Sequence, residues 1–387
     1  MKKIIMYSTC ELFTKHQTGG TKRFLELLSF FCSNGRVELY SSDDEKKIKK
    51  QTNNIDFIQM NKSRDGVLPP EIRLGFANIS KIKSIKDSKY DRIISFDVPP
   101  TLFLCLFHIK NIVLMVRKDF LGYETIIGKN SSTKSKVRLF LLKMCERYVL
   151  KRVSLIIVQC EYDKEQLIKR HPILKSEINT KCRVQINNVN PSWIENKSSV
   201  EKLQFNNNCF NIGFIGDFDN RRKGHDIFLP AIKELQKKGY SVVAHVMGGG
   251  RTLEKYKQQY EDSTTIFYGR VDNPIAILKS CDLIVVPSMA DSCPNTVMEA
   301  LYNGVVVIGS NVGGIPEILQ DEEALFPLSI ECLVERCISV IDSQEKYLLL
   351  KKSQKKRKTE LTFSWAEKIS NIICEYDKIE RSISDGK

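Results

Sequence analysis

The sequence lacks any grouping of the residue types that bind metals. None of its 12 cysteines forms a Cys-x-x-Cys pair, and its 5 histidines are equally scattered. This spacing excludes a recognisable zinc site or disulfide framework, so we expect no metal site. We also expect no cofactor. Cysteines that lie in apolar runs, such as Cys105 and Cys281, are typical of small core residues in a reducing compartment.

Long hydrophobic runs are also missing. The apolar stretch at residues 98–116 is interrupted by prolines, a histidine, a lysine and an asparagine, which are too many breaks for a membrane-spanning helix. Residues 1–8 contain only a short apolar core, so we interpret them as a first β-strand and not as a signal peptide. No Gly-x-Gly-x-x-Gly follows that strand, which argues against a nicotinamide cofactor. These absences predict a cytoplasmic protein.

Acidic residues are scarce in the first half of the chain only. Residues 1–190 hold 35 Lys and Arg against 19 Asp and Glu, whereas residues 191–387 hold 25 against 27. The net charge of +14 therefore comes from the first half, which suggests an anionic partner there. An anionic membrane surface, a lipid-linked diphosphate and a nucleic acid are the candidates, and a merely solvated lysine-rich surface is the alternative. No nucleic-acid module is recognisable, so we expect no nucleic-acid partner.

Residues 133–152 predict a long helix that carries part of this charge. Seven Lys or Arg surround its apolar residues, among them Val137, Phe140, Leu141 and Met144. A basic amphipathic helix can lie on the inner face of an anionic membrane. The alternative is a helix that packs its apolar residues in the core and exposes a solvated back.

Near the C-terminal end, residues 283–319 have the pattern of a strand, a loop, a helix and a second strand. The apolar run 283–286 predicts a buried parallel strand, which Pro287 ends. Asn295 is expected to cap the following helix, and Gly304 is expected to stop it. A second strand at residues 305–308 completes the unit.

Open parallel sheets bind ligands beyond the carboxyl ends of their strands. Asp291 and Glu299 are expected near that edge, and the backbone N–H groups of Asn295 and Thr296 at the helix start would attract an anion. Two carboxylates around an anion site suit a nucleotide-sugar, which has hydroxyls at both ends and phosphates between them. The alternative is that these acids cap helices in an unrelated α/β protein.

This stretch resembles glycosyltransferase family 4, the retaining enzymes of the GT-B fold. The matching positions are Pro287-Ser288, Pro294-Asn295, Glu299-Ala300, Gly304, Gly313-Gly314 and Glu317. The resemblance implies an α/β chain of two Rossmann-like domains that face each other across a cleft. It also implies limits of 1–190 for the acceptor domain, 191–208 for a linker and 209–365 for the donor domain. A helix over 366–387 is expected to cross back to the first domain.

The resemblance also assigns roles to donor-domain residues. The family's first Glu falls on Asp291, which would hold the sugar hydroxyls, and Glu299 would hold the ribose. Lys223 matches a Lys that stabilises the leaving diphosphate. The family's Arg position holds Asp217 instead, so Arg221 or Arg222 is the expected substitute. Arg270 and Val271 fall in the loop that packs on the base.

First-domain roles rest on fewer matches. Gly20 precedes a helix at the family's glycine-rich loop and is expected to approach the donor phosphate. Arg117 and Asp119 follow a predicted strand, where relatives place a His, and are the acceptor-side candidates. A surface ion pair is the alternative for Arg117. Residues 42–90 show little periodicity and predict mostly loops and short elements.

The function predicted from sequence is metal-independent transfer of a hexosyl unit, with retention, from a UDP- or GDP-sugar to an acceptor hydroxyl. The acceptor is expected to be a glycan or a lipid-linked sugar in bacterial capsule or O-antigen assembly. A catalytically weak GT-B protein, which binds a sugar nucleotide or partners an active transferase, is the alternative. A nucleic-acid-binding protein is a third hypothesis that rests on charge alone.

Overall fold

The structure is a computed structural model that describes residues 3–9, 11–14, 19–49, 54–62, 70–117, 121, 133–189, 203–205 and 208–385. These residues form two compact units. The first contains the described residues up to 185 together with the helix that starts at Trp365, and the second contains those from 186 to 364.

The first unit is built on a seven-stranded sheet in the order β3-β2-β1-β4-β5-β6-β7, and every neighbouring pair is parallel. Its strands are β1 Ile4–Tyr7, β2 Val37–Ser41, β3 Ile55–Gln59, β4 Arg92–Phe96, β5 Ile112–Met115, β6 Leu155–Val158 and β7 Cys182–Val184. Its helices are Gly19–Asn34, Glu45–Lys49, Pro70–Ala77, Ile79–Ile85, Val98–Leu106, Thr133–Arg152, Glu161–Arg170, Lys175–Lys181 and Trp365–Asp385.

The second unit is built on a six-stranded parallel sheet in the order β10-β9-β8-β11-β12-β13. Its strands are β8 Phe210–Ile215, β9 Val242–Met247, β10 Thr265–Gly269, β11 Leu283–Val286, β12 Val306–Ser310 and β13 Leu325–Phe326. Its helices are His225–Lys237, Leu253–Tyr260, Ile275–Ser280, Asn295–Asn303, Ile315–Leu319, Ile330–Ile341 and Gln344–Leu361.

Central strands of both sheets are apolar without alternation. Leu155–Val158 and Leu283–Val286 are buried at every position, as expected for parallel strands that are covered by helices on both faces. In each sheet the strand order reverses once, between β1 and β4 in the first and between β8 and β11 in the second. Such reversals are where open α/β sheets bind ligands. The predicted α/β class with parallel sheets is confirmed.

One local prediction needs correction. Asn295 is the first residue of its helix and not its cap, because Pro294 occupies the cap position in an extended conformation. In the segment 42–90, for which mostly loops and short elements are predicted, the structure has β3 and the short helices Pro70–Ala77 and Ile79–Ile85. The sequence signal of β3 is weak because this short strand lies at the sheet edge, is only half-buried and includes the polar residues Asp56 and Gln59.

The helix Trp365–Asp385 packs in the first unit through buried polar and aromatic contacts. The Trp365 ring is buried, and the Arg23 guanidinium lies 5.2 Å from its centroid. Further along, the Arg92 Nε of β4 donates to Asp377 at 2.7 Å, and Arg92 also pairs with Glu380. A charged strand residue is thereby neutralised from the chain's last helix.

Glu146 in the helix Thr133–Arg152 is buried and has two side-chain partners. Arg170 Nε donates to it at 3.0 Å, and His171 Nε2 lies 2.7 Å from it. Burial alone would raise the pKa of Glu146, but the bonds to His171 and Arg170 outweigh burial and lower the pKa below its usual 4.5. The carboxylate therefore stabilises the folded state.

Because folding lowers the pKa of Glu146, the free energy of unfolding depends on pH. The contribution of Glu146 is complete above its unfolded pKa of 4.5 and is lost as pH falls through the lower folded value. We expect Glu146→Gln to be clearly less stable than wild type in urea unfolding at pH 7, with a difference that shrinks below pH 4.5. A difference that stays constant with pH would contradict this role for the charge.

Candidate functional site

The candidate site lies at the carboxyl edge of the second sheet, where loops from several strands are tied together. Met289 N, after β11, donates to Arg222 O in the loop after β8 at 2.7 Å. Gly314 N, after β12, donates to Asp291 O at 3.0 Å. These backbone bonds bring three segments that are far apart in sequence to the reversal point between β8 and β11.

A carboxylate and two cations form the centre of this site. Asp291 Oδ2 accepts from Lys223 Nζ at 2.7 Å and from Arg222 Nη1 at 3.0 Å. Arg222 Nη1 also donates to Ala290 O at 2.9 Å. The side chains of Arg222, Lys223 and Asp291 are 17, 21 and 11 % exposed, so the cluster is partly desolvated and still reachable.

The protonation state of this cluster is set by its cations. Burial alone would raise the pKa of Asp291, but Lys223 and Arg222 lower it below its usual value. The carboxylate is therefore ionised at neutral pH. Two cations around one anion leave an excess positive charge, which suits an anionic ligand.

Two glycines allow the loops to approach each other. Gly224 has φ +81°, and a Cβ there would overlap the carbonyl oxygen of Pro287. Gly313 has φ +62°, and a Cβ there would overlap the carbonyl oxygen of Asp291. Both positions thus require glycine for conformation and for space.

The structure separates the two arginines that were candidates for the same role. Arg222 joins the cluster, whereas Arg221 is 81 % exposed and pairs with Asp226 at 2.8 Å. Asp217, at the family's Arg position, accepts a hydrogen bond from Asp219 N at 2.9 Å and so stabilises the turn. Arg222 therefore supplies the second cation beside Lys223.

The remaining donor-side candidates surround this edge. Asn295 and Thr296 begin their helix and are half-buried, as is Glu299 one turn later. Arg270 is exposed and Val271 half-buried in the loop after β10. That loop adjoins the glycine turn after β9, because Gly248 N donates to Gly269 O at 2.8 Å.

His225 is a site neighbour that sequence reasoning missed. It follows Gly224, is 1 % exposed, and its ring centroid lies 4.1 Å from that of Phe218. Burial lowers its pKa to about 4, so the imidazole is neutral at pH 7. The buried His225 ring, packed against Phe218, supports the Lys223-Gly224 turn from inside the unit. The only signal for His225 in the sequence is its position directly after Lys223-Gly224.

In the first unit the structure brings Gly20 and Arg117 together. A Cβ on Gly20 would overlap Arg117 Nη1. The guanidinium is held by Asp97, which accepts from Nε at 3.0 Å and from Nη2 at 2.5 Å, and it also lies over the Phe96 ring. Arg117 is thus fixed in place while 30 % of its side chain stays exposed. Asp119 lies outside the described residues.

Within the described parts of the chain, no group of three or more His, Cys, Asp or Glu residues is placed to hold a metal ion. None of the helices found there combines the length and apolar character that a bilayer crossing requires.

The region that contains the cluster of Arg222, Lys223 and Asp291 is similar to known proteins. Residues 209–343 match the family Glycosyl transferases group 1. Protein CapJ of Staphylococcus aureus is 29 % identical over 146 residues, which cover 35 % of this chain and 37 % of CapJ. A 41.2 kDa protein of the cps region in Klebsiella pneumoniae is 28 % identical over 49 % of this chain and 50 % of its own length. This chain thus spans half or less of both relatives.

A more distant relative is matched over a longer stretch. It is the GalNAc-alpha-(1->4)-GalNAc-alpha-(1->3)-diNAcBac-PP-undecaprenol alpha-1,4-N-acetyl-D-galactosaminyltransferase of Campylobacter jejuni, 23 % identical over 79 % of each chain.

Solved structures share the fold over the whole chain. Sucrose-phosphate synthase of Thermosynechococcus elongatus superposes with a TM-score of 0.74 at 16 % identity, covering 100 % of both chains. HepE of Anabaena, in complex with UDP-glucose, gives 0.67 at 14 % identity over 99 % of this chain and 100 % of its own. The resemblance to group 1 glycosyltransferases is therefore confirmed for residues 209–343, and the fold is that of GT-B glycosyltransferases.

Proposed function

We propose that this chain is a retaining glycosyltransferase that moves a hexosyl unit from a UDP- or GDP-sugar to an acceptor hydroxyl. The observation that carries the proposal is the cluster of Arg222, Lys223 and Asp291 at the carboxyl edge of the second sheet. It lies inside the region that matches Glycosyl transferases group 1. Its excess positive charge suits the diphosphate of a nucleotide-sugar.

The two cations would act on the leaving group. Negative charge grows on the diphosphate as its bond to the sugar breaks, and fixed cations in a partly desolvated site stabilise that charge. Lys223 contributes a compact ammonium group, and Arg222 contributes a planar guanidinium suited to two phosphate oxygens. Together they can replace a divalent metal, so we propose that the reaction proceeds without one.

Asp291 would have two functions in this arrangement. Both cations bind its Oδ2, which holds them in place before the donor arrives. Among the described residues the side-chain hydrogen bonds of Asp291 all go to Oδ2, so Oδ1 can accept from a sugar hydroxyl. Glu299, on the helix that starts beside the cluster, is the proposed partner of the ribose hydroxyls.

The transfer step needs no protein base. The bond between the anomeric carbon and the leaving phosphate oxygen breaks, and a bond to the acceptor oxygen forms on the same face of the sugar. The acceptor proton goes to the leaving phosphate oxygen, so charge and atoms balance. Gly20 and Arg117 of the first unit are the proposed contacts for donor phosphate and acceptor.

The acceptor class is proposed from the relatives. The Campylobacter relative is named for an acceptor linked to PP-undecaprenol, and CapJ and the cps-region protein point to capsule formation. We therefore propose an acceptor on a lipid diphosphate, used at the cytoplasmic face of a bacterial membrane during surface polysaccharide assembly. The basic first half of the chain suits that location.

The proposal is tested by a transfer assay with purified protein. Radiolabelled UDP- and GDP-sugars are incubated with undecaprenyl diphosphate-linked sugars in the presence of EDTA. We expect transfer either from UDP-sugars or from GDP-sugars. The new glycosidic bond should have the same anomeric configuration, axial or equatorial, as the bond in the donor. Transfer that EDTA abolishes would contradict metal independence, and a product of inverted configuration would contradict retention.

A second candidate function is supported by one observation. Asp217 stands where the family has a phosphate-binding Arg, which would suit a catalytically weak protein that binds a sugar nucleotide or partners an active transferase. Nucleotide binding without transfer or donor hydrolysis would favour this candidate. Because Arg222 already supplies a second cation, we favour the enzyme.

A further inference from the structure

A separate pocket of about 230 Å³ lies in the second unit. Its walls are the segment 301–306 and one face of the helix Gln344–Leu361. The segment 301–306 contains the end of the helix Asn295–Asn303 and the start of β12. Because the cluster lies at the carboxyl edge of the sheet and β12 starts at the opposite edge, the pocket is not part of the proposed donor site.

Gln354 fastens the helix Gln344–Leu361 to the side of β12. Its side chain is buried, and its amide forms two hydrogen bonds with the backbone of Val307. Val307 N donates to Oε1 at 3.0 Å, and Nε2 donates to Val307 O at 2.7 Å. Because β13 pairs with Gly309 and Ser310 further along β12, the amide takes the place of a strand partner at Val307. The helix face that lines the pocket is thereby fixed against the sheet.

Three lysines of that face line the pocket. Lys351, Lys355 and Lys358 follow the spacing i, i+4 and i+7, which places them on one side of the helix. The lining contains no Asp or Glu among the described residues, and none of the three lysines forms an ion pair there. Glu360, an acid of the last turn, pairs instead with Arg357 at 2.8 Å. Like charges at this spacing repel each other, so an anion in the pocket would relieve that repulsion.

One lysine already satisfies the end of the neighbouring helix. Lys358 Nζ donates to Tyr302 O at 2.5 Å and lies 4.4 Å from the centroid of the Tyr302 ring. A helix C-terminus carries about half an elementary negative charge, so a single cation balances it. Lys351 Nζ lies 5.9 Å from the centroid of the Tyr347 ring, a contact that leaves its charge in place. Lys351 and Lys355 therefore give the pocket an excess of positive charge.

We propose that this pocket, called the lysine pocket and formed by Lys351, Lys355, Lys358 and the segment 301–306, binds a small molecule that carries a phosphate or diphosphate group. Ammonium groups are compact point charges that bind phosphate oxygens. The apolar part of the wall lowers the local dielectric constant, which strengthens this attraction. The lysine pocket goes beyond the proposed function and does not depend on it.

Size and shape favour a small soluble ligand. The volume of about 230 Å³ corresponds to roughly eight water molecules at about 30 Å³ each. That is room for a phosphate or diphosphate group but not for a whole nucleotide-sugar. A nucleic acid would contact the lysines from outside and would leave the apolar wall of Leu301, Val305 and Val306 in water.

The test is isothermal titration calorimetry of the full-length protein with inorganic pyrophosphate in EDTA. Lys223→Ala serves as the background, because it weakens anion binding at the cluster. We expect pyrophosphate to bind this background. We expect Lys351→Gln with Lys355→Gln to weaken that binding by at least roughly tenfold, since two charge-assisted hydrogen bonds are lost.

The control pair is Lys352→Gln with Lys356→Gln in the same background. It removes the same charge at the same spacing, but from exposed lysines that do not line the pocket. We expect it to keep the affinity of the background for pyrophosphate. The proposal is overturned if the control pair loses as much affinity as the pocket pair, if the pocket pair loses none, or if the background does not bind pyrophosphate.

A second measurement locates the ligand without any substitution. Wild-type protein is acetylated with a limiting amine-reactive reagent, with and without pyrophosphate, and its peptides are analysed by mass spectrometry. At about ten times Kd, about nine-tenths of the pockets are occupied, so acetylation of Lys351 and Lys355 should slow by up to roughly tenfold. Lys352 and Lys356 should react at an unchanged rate. Equal slowing of all four lysines, or slowing of none, would overturn the proposal.

Failure of the lysine pocket and failure of the proposed function give different results. Neither the titration nor the acetylation requires glycosyl transfer. Absence of transfer in the radiolabel assay counts against the proposed function alone. Absence of pyrophosphate binding in the Lys223→Ala background counts against the lysine pocket alone.

Discussion

Lys223→Ala is expected to lower glycosyl transfer by about a hundredfold to a thousandfold, the usual cost of removing one preorganised group that stabilises transition-state charge. Lys223 Nζ lies 2.7 Å from Asp291 in a site that is only partly exposed, so bulk water cannot replace its charge fully. The loss should appear mainly in kcat, because charge on the diphosphate grows in the transition state. Steady-state kinetics with saturating acceptor measure it.

Neighbouring arginines give matched controls for this result. Arg221→Ala removes a cation from the same turn, but Arg221 is 81 % exposed and pairs with Asp226, so near-wild-type transfer is expected. Arg222→Ala removes the second cation of the cluster and should resemble Lys223→Ala. Equal losses for Arg221→Ala and Lys223→Ala, or normal kcat in folded Lys223→Ala, would refute the assigned role.

Asp377→Ala is expected to destabilise the first unit by about 3 kcal/mol, because it removes the buried partner of Arg92 and leaves only the part-exposed Glu380 to balance that charge. Arg92 is 5 % exposed, and its Nε and Nη2 bind Asp377 at 2.7 and 2.6 Å. Urea unfolding at pH 7 measures the effect. The chain has 2 tryptophans, so a Trp193→Phe background leaves the buried Trp365 as the reporter.

Two further variants separate charge from packing in this result. Glu380→Ala removes a partner that is 41 % exposed, so a smaller loss is expected. Arg92→Met combined with Asp377→Ala removes both charges and should regain stability relative to Asp377→Ala alone. If the double variant is less stable than Asp377→Ala, the uncompensated charge is not the cause of the loss.

Sequence reasoning succeeded where local patterns carry the information. The apolar run of β11 and the stop at Gly304 follow from burial and backbone geometry within a few residues. It was less successful at the edge strand β3, which is only half-buried and has no continuous apolar run. The helix start at Asn295 was displaced by one residue because a proline can occupy the cap position.

In two places that matter for function, the sequence could not predict the direction in which side chains point. Arg221 and Arg222 are adjacent in a short helical turn, and only the three-dimensional structure shows which one reaches Asp291, almost 70 residues away. Likewise, the helix Thr133–Arg152 has apolar residues all round, so periodicity could not tell its packed face from its exposed one. Tertiary packing decides both cases.

The central claim is that Arg222 and Lys223, which Asp291 holds in place, bind the diphosphate of a nucleotide-sugar. Thermal unfolding with UDP or GDP in EDTA tests it most directly. At a nucleotide concentration about a hundred times Kd, binding adds about 2.7 kcal/mol of stability. We predict that one of the two nucleotides raises Tm in wild type and in Arg221→Ala, and that most of this shift is lost in Lys223→Ala. No shift with either nucleotide, or an equal shift in Lys223→Ala, would contradict the claim.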